Sequence, residues 1–74
     1  MNSGNLKMRL SDARRSKLLN QWALGRRLNY SQAKISMIER GQVSLSKNEK
    51  RRIAEILQMP VEAIAWPGNV DGQI

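Results

Sequence analysis

QWALGRRLNYSQAKISMIERG, residues 21–41 of a 74-residue chain, carries its apolar residues at the spacing of two short helices that meet at a tight turn. Leu24 and Leu28, four apart, line one face of the first helix; Ile35 and Ile38, three apart, line one face of the second. Asn29-Tyr30-Ser31 separates them. Asn tolerates the left-handed backbone that such a turn needs, and Ser31 is a good N-cap, its hydroxyl placed to accept from a free amide in the next helix's first turn. Gly25 falls where two crossed helices touch and has no side chain to hold them apart.

Outward from this pair, residues 1–5 are polar and expected to be disordered. A first helix is predicted from Leu6 to Lys17, with Leu6, Leu10 and Ala13 inward, and Asn20 caps the helix that opens at Gln21. Gly41 stops the helix before it, and residues 42–45 form a loop. Ser46-Lys47-Asn48-Glu49 reads as a capping box. The helix it opens turns Ile53, Ile56 and Leu57 inward and ends near Gln58. Pro60 suits the first turn of a fifth, short helix reaching Trp66, with Val61 and Ile64 on its inner face. Pro67-Gly68 closes it, leaving residues 67–74 as a flexible tail. The expected architecture is therefore all-α, five helices in one domain over residues 6–66, with no repeat, low-complexity segment or strand-like alternation.

Charge gives this scaffold a direction. The net charge is +7 and the pI about 10.9, in the range of nucleic-acid-binding domains. All 13 Lys and Arg lie in residues 1–52 beside only Asp12, Glu39 and Glu49, while residues 53–74 hold Glu55, Glu62 and Asp71 and no cation. A basic body with an acidic end suits a protein that meets polyphosphate with one surface. Two helices joined at a sharp turn form a helix-turn-helix, whose second helix enters the DNA major groove. The chain has no Cys and no His, so thiolate and imidazole chemistry are excluded, and its six carboxylates show no paired or metal-binding spacing. No apolar run approaches the roughly 18 residues of a membrane span, and no signal-peptide core is present. A cytoplasmic protein without catalytic residues, metal or cofactor is expected.

The residues resemble the Xre/Cro-type helix-turn-helix regulators with the five-helix lambda-repressor-like domain. Ile35-Ser36-Met37-Ile38-Glu39-Arg40-Gly41 matches the family's I-S-x-I-E-x-G, Gln21 its second-helix Gln, Arg14 its helix-one Arg, and Ile53-Ala54 through Leu57 its I-A-x-x-L. The resemblance spans Leu10 to Trp66. The chain departs from the pattern at Leu18, Asn29 and Gln58, where Gly is usual or common, and at Leu45, where Pro is frequent.

The resemblance implies a recognition helix starting at Gln32, with Gln32, Ala33, Ser36 and Met37 toward the groove floor and Lys34 alongside. These side chains have the chemistry of base reading. Gln pairs bidentately with adenine, Lys donates to guanine acceptors, and Ala and Met offer apolar contact to a thymine methyl. Asn20 and Gln21 sit at a helix N-terminus, whose free amides suit a phosphate; Asn20 can equally be a plain cap, and Gln21 can also brace Gln32. Ser31, Arg40, Gln42, Ser44 and Lys47 complete the expected contacts to the DNA backbone. Arg14 and Glu39 are implied to form a partly buried ion pair that ties helix one to the recognition helix.

Trp22 is expected to be partly exposed, either packed on helix one or marking a partner surface. The cation-free end of the chain, with Met59, Ile64 and Trp66, is expected either to carry a homodimer contact, as members of the resembled family often dimerise through the last helix, or simply to pack on the core. The implied function is a sequence-specific, double-stranded-DNA-binding transcription regulator, a dimeric repressor reading a roughly palindromic operator with helix 32–40 and controlled by concentration, proteolysis or a partner protein. The alternative is a protein-binding adaptor or antitoxin-type component using the same fold for partner binding.

Overall fold

The computed structural model describes residues 7–68. In chain order they form a two-residue strand β1 (Met8–Arg9), helices α1 (Leu10–Ser16), α2 (Gln21–Leu28), α3 (Gln32–Glu39) and α4 (Lys47–Leu57), a 3₁₀ turn (Val61–Ala63) and a second short strand β2 (Ile64–Ala65). Three of the four α-helices begin on the cap that their sequence offers. Asn20 Oδ1 accepts from the Ala23 amide at 2.7 Å and Ser31 Oγ from the Lys34 amide at 3.1 Å. At α4 the capping box is complete: the Glu49 amide donates to Ser46 Oγ at 3.1 Å, and the Ser46 amide donates to Glu49 Oε1 at 2.9 Å.

Two expectations are corrected. The first helix begins at Leu10 rather than Leu6, because Met8 and Arg9 leave it to pair with the other end of the domain; Leu6 and residues 1–5 lie outside the described residues. The fifth helix is absent. Pro60 is extended (φ −67°, ψ 148°) and stands before a single 3₁₀ turn, after which the backbone straightens into β2. The strands pair in parallel, Met8 with Ile64 and Arg9 with Ala65. Ile64 explains the change: its side chain is 1% exposed, so its backbone polar groups sit where water cannot serve them and need protein partners. Of residues 67–74, only Pro67 and Gly68 are described.

The core is one cluster of Leu10, Ala13, Leu24, Leu28, Ile35, Ile38, Ile53, Ala54, Leu57 and Ile64, with Tyr30, Ile56, Met59, Val61 and Trp66 half-buried around it. Every α-helix and β2 contributes. The tightest junction lies between α2 and α3. Asn29 ends α2 in the left-handed conformation (φ 68°, ψ 34°), and the Tyr30 amide donates back to the Gly25 carbonyl at 2.8 Å. A Cβ on Gly25 would lie 2.6 Å from the Tyr30 carbonyl oxygen and 3.3 Å from Ile35 Cγ1, so the turn can approach α2 this closely only over a glycine.

Leu18, Asn29 and Gln58 are the non-glycine residues with positive φ among the described residues. They are also the three positions where the family resemblance leads one to expect Gly. Asn bears this conformation with little strain, whereas Leu does not. Leu18 is moreover 93% exposed, so its side chain gains no packing energy in exchange.

Two substitutions check this account in urea unfolding. Gly25→Ala is expected to lower stability by about 1–3 kcal/mol through backbone overpacking. Leu18→Gly is expected to raise it by about 0.5 kcal/mol, because relief of a left-handed Leu outweighs the entropy cost of Gly.

Candidate nucleic-acid interface

With Ile35 and Ile38 committed to the core, α3 turns its opposite face outward. Gln32, Ala33, Lys34 and Met37 are exposed there and Ser36 is half-buried. Beneath this face runs a continuous chain of side-chain hydrogen bonds. Gln32 Nε2 donates to Gln21 Oε1 at 2.6 Å, and Gln21 Nε2 donates to Glu39 Oε1 at 2.9 Å. Glu39 in turn accepts from Arg14 Nε at 2.6 Å and Arg14 Nη2 at 3.2 Å, while Arg14 Nη1 reaches the Leu19 carbonyl at 2.8 Å.

The physical logic starts at the buried end. The Arg14 and Glu39 side chains are each 7% exposed, so two charges have been withdrawn from water, and their bidentate geometry and extra partners offset that cost. An ionised carboxylate only accepts hydrogen bonds. It therefore fixes Gln21 with its NH₂ toward Glu39 and its oxygen toward Gln32. That oxygen in turn takes one Nε2 hydrogen of Gln32. What Gln32 has left for a ligand is one N–H and its carbonyl oxygen, the pair a bidentate contact to adenine uses. The Gln21–Glu39 link is not among the sequence-based expectations, although a buried Glu beside an amide donor is a signal that points to it.

The residues expected at the DNA backbone are accessible. Gln21 is half-buried, and Asn20, Ser31, Arg40, Gln42, Ser44 and Lys47 are at least partly exposed. Asn20 and Ser31 are already caps through their side-chain oxygens, so what each offers a phosphate is its remaining donor capacity. Arg15, Trp22, Asn20 and Gln21 line a shallow depression with Arg14 and Gln32. Trp22 is 57% exposed, its ring covered by the Arg26 guanidinium at 4.8 Å from the centroid.

Tyr30 has a part in the site that the sequence-based expectations do not give it. Its hydroxyl donates to Glu49 Oε2 at 2.8 Å, and Lys34 Nζ sits 3.8 Å from its ring centroid. Lys34 is thus held against the Tyr30 ring. Burial and the Glu49 contact raise the Tyr30 hydroxyl above its ordinary pKa of 10.0. The Ser46 backbone amide and then the Tyr30 hydroxyl lower the Glu49 carboxyl below its ordinary 4.5.

The model of the helix-turn-helix domain family matches residues 8–66, most of the chain. This chain belongs to that family. It is a helix-turn-helix DNA-binding domain, and α2, the turn and α3 are the motif's own parts. No curated protein and no solved structure matches it. Among the described residues no helix is long and apolar enough to cross a membrane.

One residue of the expected dimer contact is corrected. Ile64 is core and unavailable to a second copy, and Met59 and Trp66 are half-buried against it. Nor is this end free of positive charge in space: Trp66 lines a cleft with Lys7, Lys47, Lys50 and Arg51. Two copies meeting there would set like charges against each other. The cation-free stretch exists along the sequence and not on the surface, because α4 and the chain's start fold back over it.

Two measurements follow from this geometry. Glu39→Ala leaves the Arg14 guanidinium buried without its partner and is expected to cost about 3–5 kcal/mol, much of it recovered when Arg14→Leu is added. Tyr30 and Glu49 each contribute a pH response. Because Tyr30 is raised, its contribution is complete below its unfolded pKa and lost as pH rises through the higher folded value. Because Glu49 is lowered, its contribution is present above the ordinary carboxylate range and lost as pH falls through the folded value. Stability should therefore decline at both alkaline and acid extremes, and Tyr30→Phe should remove the alkaline decline.

Proposed function

We propose that the chain is a sequence-specific, double-stranded-DNA-binding transcription regulator of the Xre/Cro type, acting as a repressor through α3 in the major groove. The bonded chain from Arg14 to Gln32 carries this reading. It commits a buried ion pair to orienting one exposed amide, which serves a surface that must present a donor and an acceptor in fixed order. Gln32 is the residue that reads a base, with Ala33, Ser36 and Met37 shaping the contact and Lys34 joining once released from Tyr30. Arg40, Gln42, Ser44 and Lys47 hold the phosphates beyond α3, and Asn20 and Gln21 those at the start of α2.

One short helix reads only a few base pairs, too little to distinguish a site among a genome's competitors. The regulator therefore works as a symmetric pair on a roughly palindromic operator, with half-sites about 10–10.5 base pairs apart centre to centre. Occupancy of such a site blocks the polymerase. Neutralisation of the basic surface by the DNA favours the pair on the operator over the pair in solution.

Selection of bound sites from random duplex DNA, followed by titration of variants on the selected site, tests the proposal. Affinity should fall steeply with salt, by roughly 10³–10⁵ between 50 and 200 mM if some 6–10 phosphates are neutralised; a flat response refutes the electrostatic part. Gln32→Ala should cost about 1–3 kcal/mol on the selected site and relax preference at one position per half-site. Arg40→Ala should weaken selected and random duplexes alike. Unchanged preference in Gln32→Ala would remove α3 from the reading role.

A further inference from the structure

Between α4 and the 3₁₀ turn lies an open cleft of about 500 Å³ lined by Lys7, Lys47, Lys50, Arg51, Val61, Glu62 and Trp66. Its chemistry is divided. Four cations form the walls, and among the described residues none of them makes an ion pair. Val61 and Trp66, adjacent to each other, supply its apolar surface. The Trp66 indole N–H is already donated to the Val61 carbonyl at 3.1 Å, so the ring offers its hydrocarbon surface and no hydrogen bond.

A ligand that fits must bring negative charge for the walls and an apolar group for the apolar surface. A duplex supplies the first and leaves the indole in water. A single-stranded nucleic acid supplies both, yet Glu62 stands among the cations and repels a continuous run of phosphates. A peptide meets Glu62 with backbone N–H donors and the four cations with carboxylates. The corner between an aliphatic and an aromatic residue also suits a branched side chain better than a flat base, which needs one open platform.

We propose that this cleft docks an acidic peptide segment of a partner protein, with one aliphatic or aromatic side chain on the Val61–Trp66 surface, and that the docked segment displaces DNA because Lys47 serves both. The displacement rests on the DNA-binding reading given above; the docking does not. Such a site gives a chain with no ligand-binding domain among its described residues a direct route to regulation: a partner lifts the repressor by occupying a cation that the operator needs.

The test uses the full chain carrying Trp22→Phe, so that Trp66 is the sole indole. The probe is a short, end-blocked peptide of alternating Asp and Glu with one central Leu. Saturable change in Trp66 emission is expected, weaker when the Leu is replaced by Ser, and with Lys50→Glu and Arg51→Glu together the affinity should drop by about tenfold or more. Emission that ignores the peptide, affinity untouched by the charge reversals, or a thymidine oligonucleotide that binds more tightly than the peptide overturns the docking. On the selected duplex, the peptide should raise the apparent Kd in proportion to its occupancy of the cleft. Peptide and duplex bound together overturn the displacement and leave the docking standing. A chain that binds no duplex removes the displacement with the DNA reading, while the emission titration, made without DNA, still decides the docking.

Discussion

The arrangement of the reading head depends on one buried carboxylate. Glu39 closes α3, yet its side chain turns inward to take two N–H groups from Arg14 on α1 and one from Gln21 on α2. Three helices are thereby referred to a single pair of oxygens. The apolar core alone does not do this, since Leu and Ile contacts are non-directional and tolerate small rotations of one helix against another. A charge-assisted, bidentate contact does not tolerate them. The core sets that α3 packs on α2, and Glu39, through Arg14 and Gln21, sets the angle at which α3 presents Gln32.

Much of this was legible in the sequence because the signals were local. Ser31, Asn20 and the Ser46–Glu49 box act within a turn of themselves, and a cap needs nothing beyond its own helix to be recognised. Gly25 and Asn29 were equally readable, one by the contact it permits and the other by the backbone it tolerates. The family resemblance, through the I-S-x-I-E-x-G stretch and the helix-one Arg, brought in Glu39 and Arg14, a pair 25 residues apart that periodicity could not have joined.

What escaped was non-local. The pairing of Met8–Arg9 with Ile64–Ala65 links the two ends of the domain through two residues each, too few for alternation to register. Helical periodicity from Pro60 to Trp66 correctly turned Val61 and Ile64 inward, and the inward direction survived while the helix did not. The error about charge has the same origin. Along the chain, Trp66 is 14 residues from the last cation; in space it stands among four. Linear charge segregation does not translate into surface segregation once a helix lies across the segment.

Under the proposed reading of DNA by α3, the exposed face is not uniformly prepared for its ligand. Gln32 is oriented before DNA arrives, by a chain of bonds whose polarity is imposed by a carboxylate that can only accept. Little conformational entropy remains to be lost there on binding. Lys34, on the same exposed side of α3, is parked on Tyr30, whose hydroxyl is tied to Glu49 and so to the cap of α4. Moving it into a groove, as that reading requires, would cost the cation–π contact, which the base it meets would have to offset. Preorganisation at Gln32 favours discrimination that is present from first encounter, whereas the held Lys34 adds affinity only where the site compensates its release. The division follows from residue chemistry: a planar amide can be locked by bonds at its own end, while a flexible ammonium is held only as long as a neighbouring ring outcompetes the groove.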